Sequence, residues 1–186
     1  QLKAVIGEIL GLSPEAVFLF WKGRVALYAL LKGMGIGPGD EVILPAYTCV
    51  VVPNAILYTG AKPVYVDIEP TTFNIDLTQV EAAITPQTKA ILCQNTYGLS
   101  SHLEALQAIA QRHSLYTIED CTHGFGGHYA GRPNGTYCDA AFFSTQWNKP
   151  FSTGLGGFAI AQSAALRQAL AAFEAQAEPP SWQAVA

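Results

Sequence analysis

Residues 89–120, KAILCQNTYGLSSHLEALQAIAQRHSLYTIED, contain a strand, a helix and a second strand in close succession. Lys89-Ala90-Ile91-Leu92-Cys93 and Leu115-Tyr116-Thr117-Ile118-Glu119 are short apolar runs of strand length, and Leu103 to His113 between them has helical periodicity. The same alternation extends outward. Upstream, a helix over Gly23 to Lys32 (stripe Leu27, Leu30, Leu31) meets the turn Gly35-Ile36-Gly37-Pro38-Gly39-Asp40. A strand Glu41 to Leu44 closed by Pro45, a helix from about Val50 to Tyr58, a strand Pro63 to Asp67 and a helix Leu77 to Ile84 follow. Downstream come strands Asp139 to Phe143 and Gly157 to Ile160, then an Ala-rich helix from Ala164 to Ala175. Short apolar strands separated by helices predict an α/β fold of three layers, α/β/α, around a mostly parallel central sheet. Right-handed crossovers then bring every strand C-terminus to one edge, where ligands bind in open α/β sheets.

Composition narrows the class. Half of the 186 residues are hydrophobic and 13% are charged, as suits one well-buried body and excludes disorder. A net charge of -4 with no basic cluster argues against a nucleic-acid partner. The apolar runs are strand-length, so neither a signal peptide nor a membrane span is read from them, and no membrane partner is expected. Cys49, Cys93, Cys121 and Cys138 are widely spaced with no CxxC pair, which predicts free thiols in a reducing cytoplasm. The first residues, Gln1-Leu2-Lys3-Ala4-Val5, lack an initiator Met and start within an amphipathic helical pattern. A fragment of a larger protein is expected, with one domain over 1–175 and a tail or linker start over 176–186.

The chemistry-bearing groups gather at predicted strand ends: Asp67, Gln94, Asn95, Asp120 and Ser144. Lys149, one of six lysines, lies between the apolar Phe142-Phe143 and the turn Ser152-Thr153-Gly154-Leu155-Gly156-Gly157. An amine there and a strand-end carboxylate at Asp120 are the two groups that a pyridoxal 5'-phosphate (PLP) site needs, one for a Schiff base and one for the ring nitrogen. Taken singly, Lys149 reads as a surface lysine, Asp120 as a turn-capping carboxylate and His123 as a hydrogen-bonded structural histidine; the pairing of Lys149 with Asp120 favours the site. His123 can sit beside the ring's phenolic oxygen or support Asp120. Ser144 can offer a hydroxyl to a phosphate. The helix that opens at Lys22-Gly23-Arg24 leaves N–H groups free for the same anion. No metal ligand set is read from the sequence.

These residues resemble the large-domain core of the DegT/DnrJ/StrS family of PLP-dependent sugar aminotransferases, which have the type I fold of aspartate aminotransferase. The similarity runs in order over about residues 5 to 175. It includes Gly37-Pro38-Gly39-Asp40-Glu41-Val42-Ile43-Leu44-Pro45, Gly60-Ala61-Lys62-Pro63-Val64, Tyr97-Gly98, Ile118-Glu119-Asp120, and Lys149 with Thr153-Gly154-Leu155-Gly156-Gly157. The resemblance implies that Lys149 carries the Schiff base, Asp120 pairs with the pyridine nitrogen, and Ser144 with the backbone at Gly23 and Arg24 holds the phosphate. His123 stands where the family usually has a glutamine. Cys49 stands where the family has an aromatic on the ring, which leaves Tyr47 as a candidate for stacking. Lys22-Gly23-Arg24 replaces a usual Ser-Gly-Thr, and Leu155 a usual glutamate.

By the same resemblance the chain is expected to serve transamination. An amino-acid donor, glutamate or glutamine, supplies the amine, and a keto-sugar, nucleotide-linked, takes it. The setting would be polysaccharide or secondary-metabolite biosynthesis in the cytoplasm. Family members are homodimers with shared active sites, and are about twice this length with a small C-terminal domain. Two other readings remain: a non-catalytic PLP-binding or regulatory relative, and a PLP-dependent sugar dehydratase. Dehydratases of that kind carry histidine in place of the lysine, so Lys149 opposes the second.

Overall fold

A computed structural model describes residues 1–176 of the protein; Gln176 still belongs to a helix, and the rest of the tail expected over 176–186 lies outside the described residues. Seven strands form one sheet in the order β1-β9-β8-β5-β4-β2-β3. They are β1 (Val17–Phe20), β2 (Glu41–Pro45), β3 (Lys62–Val66), β4 (Thr88–Gln94), β5 (Tyr116–Asp120), β8 (Ala140–Ser144) and β9 (Gly157–Ala161); β6 (His128–Tyr129) and β7 (Arg132–Pro133) make a separate small hairpin. Six α-helices among the described residues surround the large sheet: α1 (Leu2–Leu10), α2 (Gly23–Gly33), α3 (Val51–Thr59), α4 (Leu77–Ala83), α5 (Leu103–His113) and α6 (Ala164–Gln176).

The helices carry local signals that fit their ends. Asp76 caps α4 by accepting from Thr78 N at 3.0 Å. The helix α5 has Glu104 in its first turn and Arg112 and His113 in its last, the arrangement that the helix dipole favours. Alternation along the strands separates two faces. Leu92 joins Leu27, Leu30 and Ile56 beneath α2 and α3, whereas Ile91 and Cys93 join Leu103, Leu106 and Val80 beneath α5 and α4. A third cluster packs Ile6 and Leu10 of α1 on Phe143, Phe158 and Ile160. Three layers result.

Strands β3, β2, β4, β5 and β8 run parallel. The chain winds from β2 out to β3, then back across to β4, so the direction of winding reverses between β2 and β4. A crevice opens at such a reversal, outside the strand C-termini. One expectation needs correction: not every strand ends on that edge. The β9 strand is antiparallel to β8, because the loop between them returns directly without a crossover helix. The start of β9, at Gly157, therefore joins the ligand edge. The β1 strand, an edge strand antiparallel to β9, and the β6–β7 hairpin were not anticipated. No described helix is long and apolar enough to cross a membrane.

Candidate active site

A cavity of about 350 Å³ lies at the C-terminal ends of β2, β4, β5 and β8. Gly23, Arg24, Tyr47, Cys49, Asp120, His123, Ser144 and Lys149 all line it. Asp67 and Asn95 do not reach it. Asp67 is exposed and its Oδ1 accepts from Ile68 N at 2.8 Å. Asn95 is buried and structural: its Nδ2 donates to Glu119 Oε1 at 2.8 Å and its Oδ1 accepts from Ser101 N at 3.2 Å.

Asp120 ends β5 with 2% of its surface exposed, and its Oδ1 accepts from Thr122 N at 2.9 Å. Burial raises its pKa to about 6, a shift that the Thr122 hydrogen bonds and the charge of Lys149 only partly offset. Lys149 sits in a turn closed by its own N–H to Gln146 O at 3.1 Å. Thr145 N to Gly156 O (3.0 Å) and Thr153 N to Thr145 O (2.9 Å) fasten the base of that loop. The Lys149 Nζ lies 3.1 Å from His123 Nε2. Burial, then the Lys149 charge, holds the His123 pKa below the usual imidazole value, so the ring is neutral near pH 7. Its Nδ1 is buried with no partner among the described residues.

The opposite wall is the start of α2. Gly23 is buried there, and a larger residue would crowd its neighbours: a Cβ would lie 3.0 Å from Phe143 O and 3.1 Å from Ser144 Cβ. The glycine thus lets the helix start rest directly on the end of β8, beside the Ser144 hydroxyl. Lys22, the N-cap residue, supplies no side-chain cap, and the first turn has no acid. Lys22 Nζ stands 4.1 Å over the Trp21 ring, and neither Lys22 nor Arg24 forms an ion pair among the described residues. Free N–H groups, a hydroxyl and two cations suit an anion. Together with a buried carboxylate for a cationic nitrogen, a free amine and a cavity within the range of small-ligand sites, the donor set fits PLP.

Gln94, Thr96 and Tyr97 also shape the cavity. Gln94 was placed by its strand end. Thr96 and Tyr97 were not singled out as cavity residues, and Tyr97 owes its place to a backbone φ of 54° that sequence periodicity does not encode.

A family model described as the DegT/DnrJ/EryC1/StrS aminotransferase family matches residues 16–184. The GDP-perosamine synthase of Caulobacter vibrioides is 45% identical over 135 residues, which cover 73% of this chain and 36% of that protein. A DegT DnrJ EryC1 StrS aminotransferase from Brucella abortus, solved by crystallography, superposes with a TM-score of 0.87 at 31% identity, covering 91% of this chain and 47% of the other. The ntda structure from Bacillus subtilis with bound cofactor PMP superposes with a TM-score of 0.79 at 33% identity, covering 89% and 38%. The chain therefore spans between about a third and a half of the length of the relatives it matches.

Proposed function

From the premise that the chain belongs to the DegT/DnrJ/EryC1/StrS aminotransferase family, we propose that it is the PLP-binding large domain, residues 1–175, of a sugar aminotransferase. The enzyme would take an amino group from glutamate or glutamine and deliver it to a nucleotide-linked keto-sugar, in cytoplasmic synthesis of polysaccharide or of a secondary metabolite. It would act as a homodimer with shared active sites. The observation that carries this reading is the convergence of Lys149, the buried Asp120 and the uncapped start of α2 on one cavity.

PLP, when bound, supplies an electron sink for the bonds at the amino-bearing carbon. Lys149 would hold it through Nζ. Asp120 would pair with the ring nitrogen; a nearby cation draws its raised pKa back down and keeps it ionised. Ser144 and the N–H groups at Gly23 and Arg24 would hold the phosphate, with the Arg24 side chain adding charge. Tyr47 would cover the ring in place of an aromatic at Cys49. Once freed, the Lys149 amine would move the proton at the substrate carbon as general base and acid. His123 Nε2, 3.1 Å away, orients that amine.

Borohydride reduction followed by peptide mass spectrometry tests the anchor. The expected result is one reduced pyridoxyl adduct, on Lys149, lost in Lys149→Ala. A covalent adduct surviving in Lys149→Ala overturns the assignment. Adding glutamate or glutamine before reduction should prevent the adduct, which separates an aminotransferase from a relative that only binds PLP.

A further inference from the structure

The Lys149 amine is in hydrogen-bond contact with a group that itself titrates. Its Nζ lies 3.1 Å from His123 Nε2, and both side chains line the cavity. The fold holds His123 in that place from two sides. Behind it, the turn that ends β5 is closed by Thr122 N to Asp120 Oδ1 at 2.9 Å and by Gly124 N to Cys121 O at 3.0 Å. Gly124 presses the turn against Asn95, where a Cβ would lie 2.8 Å from Asn95 Nδ2. On the other side, Tyr97 lies near-parallel to the imidazole, with centroids 6.2 Å apart and planes 7° apart. Tyr97 is fixed in turn by its hydroxyl, 2.5 Å from that of Tyr47.

The two ring nitrogens differ in their surroundings. Nε2 faces the amine, whereas Nδ1 is buried with no partner among the described residues. An imidazolium formed there has a buried N–H without an acceptor, and both burial and the Lys149 charge disfavour it. A proton accepted at Nε2 is therefore held weakly and given up again. A lysine ammonium has no electron pair to offer a carbon, so a base must first remove a proton. The geometry puts such a base in contact with Nζ.

We propose that His123 is a catalytic proton carrier for Lys149: Nε2 takes a proton from the Lys149 ammonium, frees the amine to attack the cofactor's aldehyde, and returns the proton to the departing oxygen. This rests on the reading of the cavity as the PLP site of an aminotransferase and names the base that the site uses. The Nζ–H bond breaks toward Nε2. The freed pair on Nζ bonds the carbonyl carbon, and the C=O pair moves to oxygen. A second proton passes from Nζ to that oxygen, the proton from His123 joins it, and water leaves as the C=N bond forms. His123 ends neutral, and nothing is oxidised or reduced.

Stopped-flow capture of PLP by the cofactor-free protein tests this, with borohydride trapping and peptide mass spectrometry to place the adduct on Lys149. His123→Gln keeps an amide oxygen that accepts from Nζ but takes no proton near neutral pH. It should melt close to the parent's temperature and label Lys149 fully in time, but about a hundredfold more slowly. His123→Ala should be slowed likewise and recover about tenfold or more with added imidazole, a rescue that a purely structural residue does not show.

The pH profile gives a second readout. Lys149 from the β8–β9 loop and Tyr97 from the loop after β4 face His123, Asp120 stands on its own turn, and Arg24, Tyr47 and Cys49 line the same cavity. Asp120, with a pKa of about 6, is present in parent and His123→Gln alike, so the ratio of their rates isolates His123. That ratio should be largest near pH 7 and shrink toward one as acid protonates the ring. Capture by His123→Gln at the parent's rate overturns the carrier, as does a deficit in His123→Ala that imidazole leaves unchanged. If the parent forms no PLP adduct on Lys149, the PLP reading falls by itself. Reductive methylation of Lys149 with formaldehyde and cyanoborohydride then reads His123: slowing in His123→Gln upholds the carrier, and equal rates overturn it.

Discussion

At Asp120, burial sets a proton balance that can be measured without any ligand. The carboxyl has a pKa of about 6 in the folded chain against 3.8 when unperturbed. Between about pH 4 and 6 the folded chain therefore holds a proton that the unfolded chain has released. Stability should fall as pH rises through that window, by about 3 kcal/mol from this group, and level off above it. Glu119, also raised by burial, acts in the same direction. Asp76 and Glu81 have lowered pKa values and oppose the trend, but they are solvent-screened and contribute little. Glu41, buried and held below the usual carboxylate range by Thr85 and Lys62, opposes it as well, equally in both proteins compared below. Urea unfolding of the cofactor-free protein from pH 4 to 7.5, compared with Asp120→Asn, isolates the term. The variant should lose most of the decline; the same slope in both proteins rules out burial of an ionising Asp120. The residue thus costs stability near pH 7 even with the Lys149 charge acting on it, and a cationic ring nitrogen would relieve that cost.

At the scale of elements, α2 makes an opposing pair of effects. Arg24 places a cation in the first turn, where the helix dipole disfavours it by about 0.3–1 kcal/mol. Arg24→Gln should stabilise the cofactor-free protein by that amount while weakening PLP binding, since a charge-assisted hydrogen bond contributes about 1.5–3 kcal/mol. Thermal melts with and without PLP read both signs at once; weaker melting without PLP, or unchanged affinity, removes Arg24 from the phosphate site. Most elements were legible in the sequence because the longer helices show their period and the central parallel strands β2 and β4 are mostly apolar and buried. The α5 helix matches its expected span, Leu103 to His113, residue for residue. Val17-Phe18-Leu19-Phe20 was just as apolar, and its bounds at Pro14 and Gly23 were available as a signal for β1. The reversal at β9 was not legible, since direction depends on whether a loop crosses the sheet, and apolar runs carry no direction. The site divides in the same way. Lys149, Asp120, Ser144 and Gly23 follow from their position relative to strand and helix ends. The placement of Tyr97 on the cavity wall depends on a positive φ, and the neighbouring Thr96 is held by polar partners distant in sequence.

For the whole molecule, α3 bears on assembly. A helix on the surface of a monomer presents a polar outer face. The α3 helix has an inner face of Val52, Ala55, Ile56 and Thr59, all buried, yet between Val50 and Gly60 there is no charged residue. Val50, Leu57 and Tyr58 are 67%, 54% and 73% exposed and, with Asn54, recur at the spacing of one helical stripe. This second apolar stripe follows directly on Tyr47 and Cys49 of the cavity wall, so a subunit seated on it would also border the cavity. A homodimer with shared active sites requires such continuity. Tyr58→Glu, a change at a position with no described packing role, should leave the melting transition nearly unchanged and shift sedimentation from dimer to monomer. A buried charge at a central contact costs about 2 kcal/mol or more, which raises the dimer dissociation constant about thirtyfold. A dimer whose mass and dilution behaviour survive both Tyr58→Glu and Leu57→Lys assembles through another face, and the cavity is then completed from elsewhere.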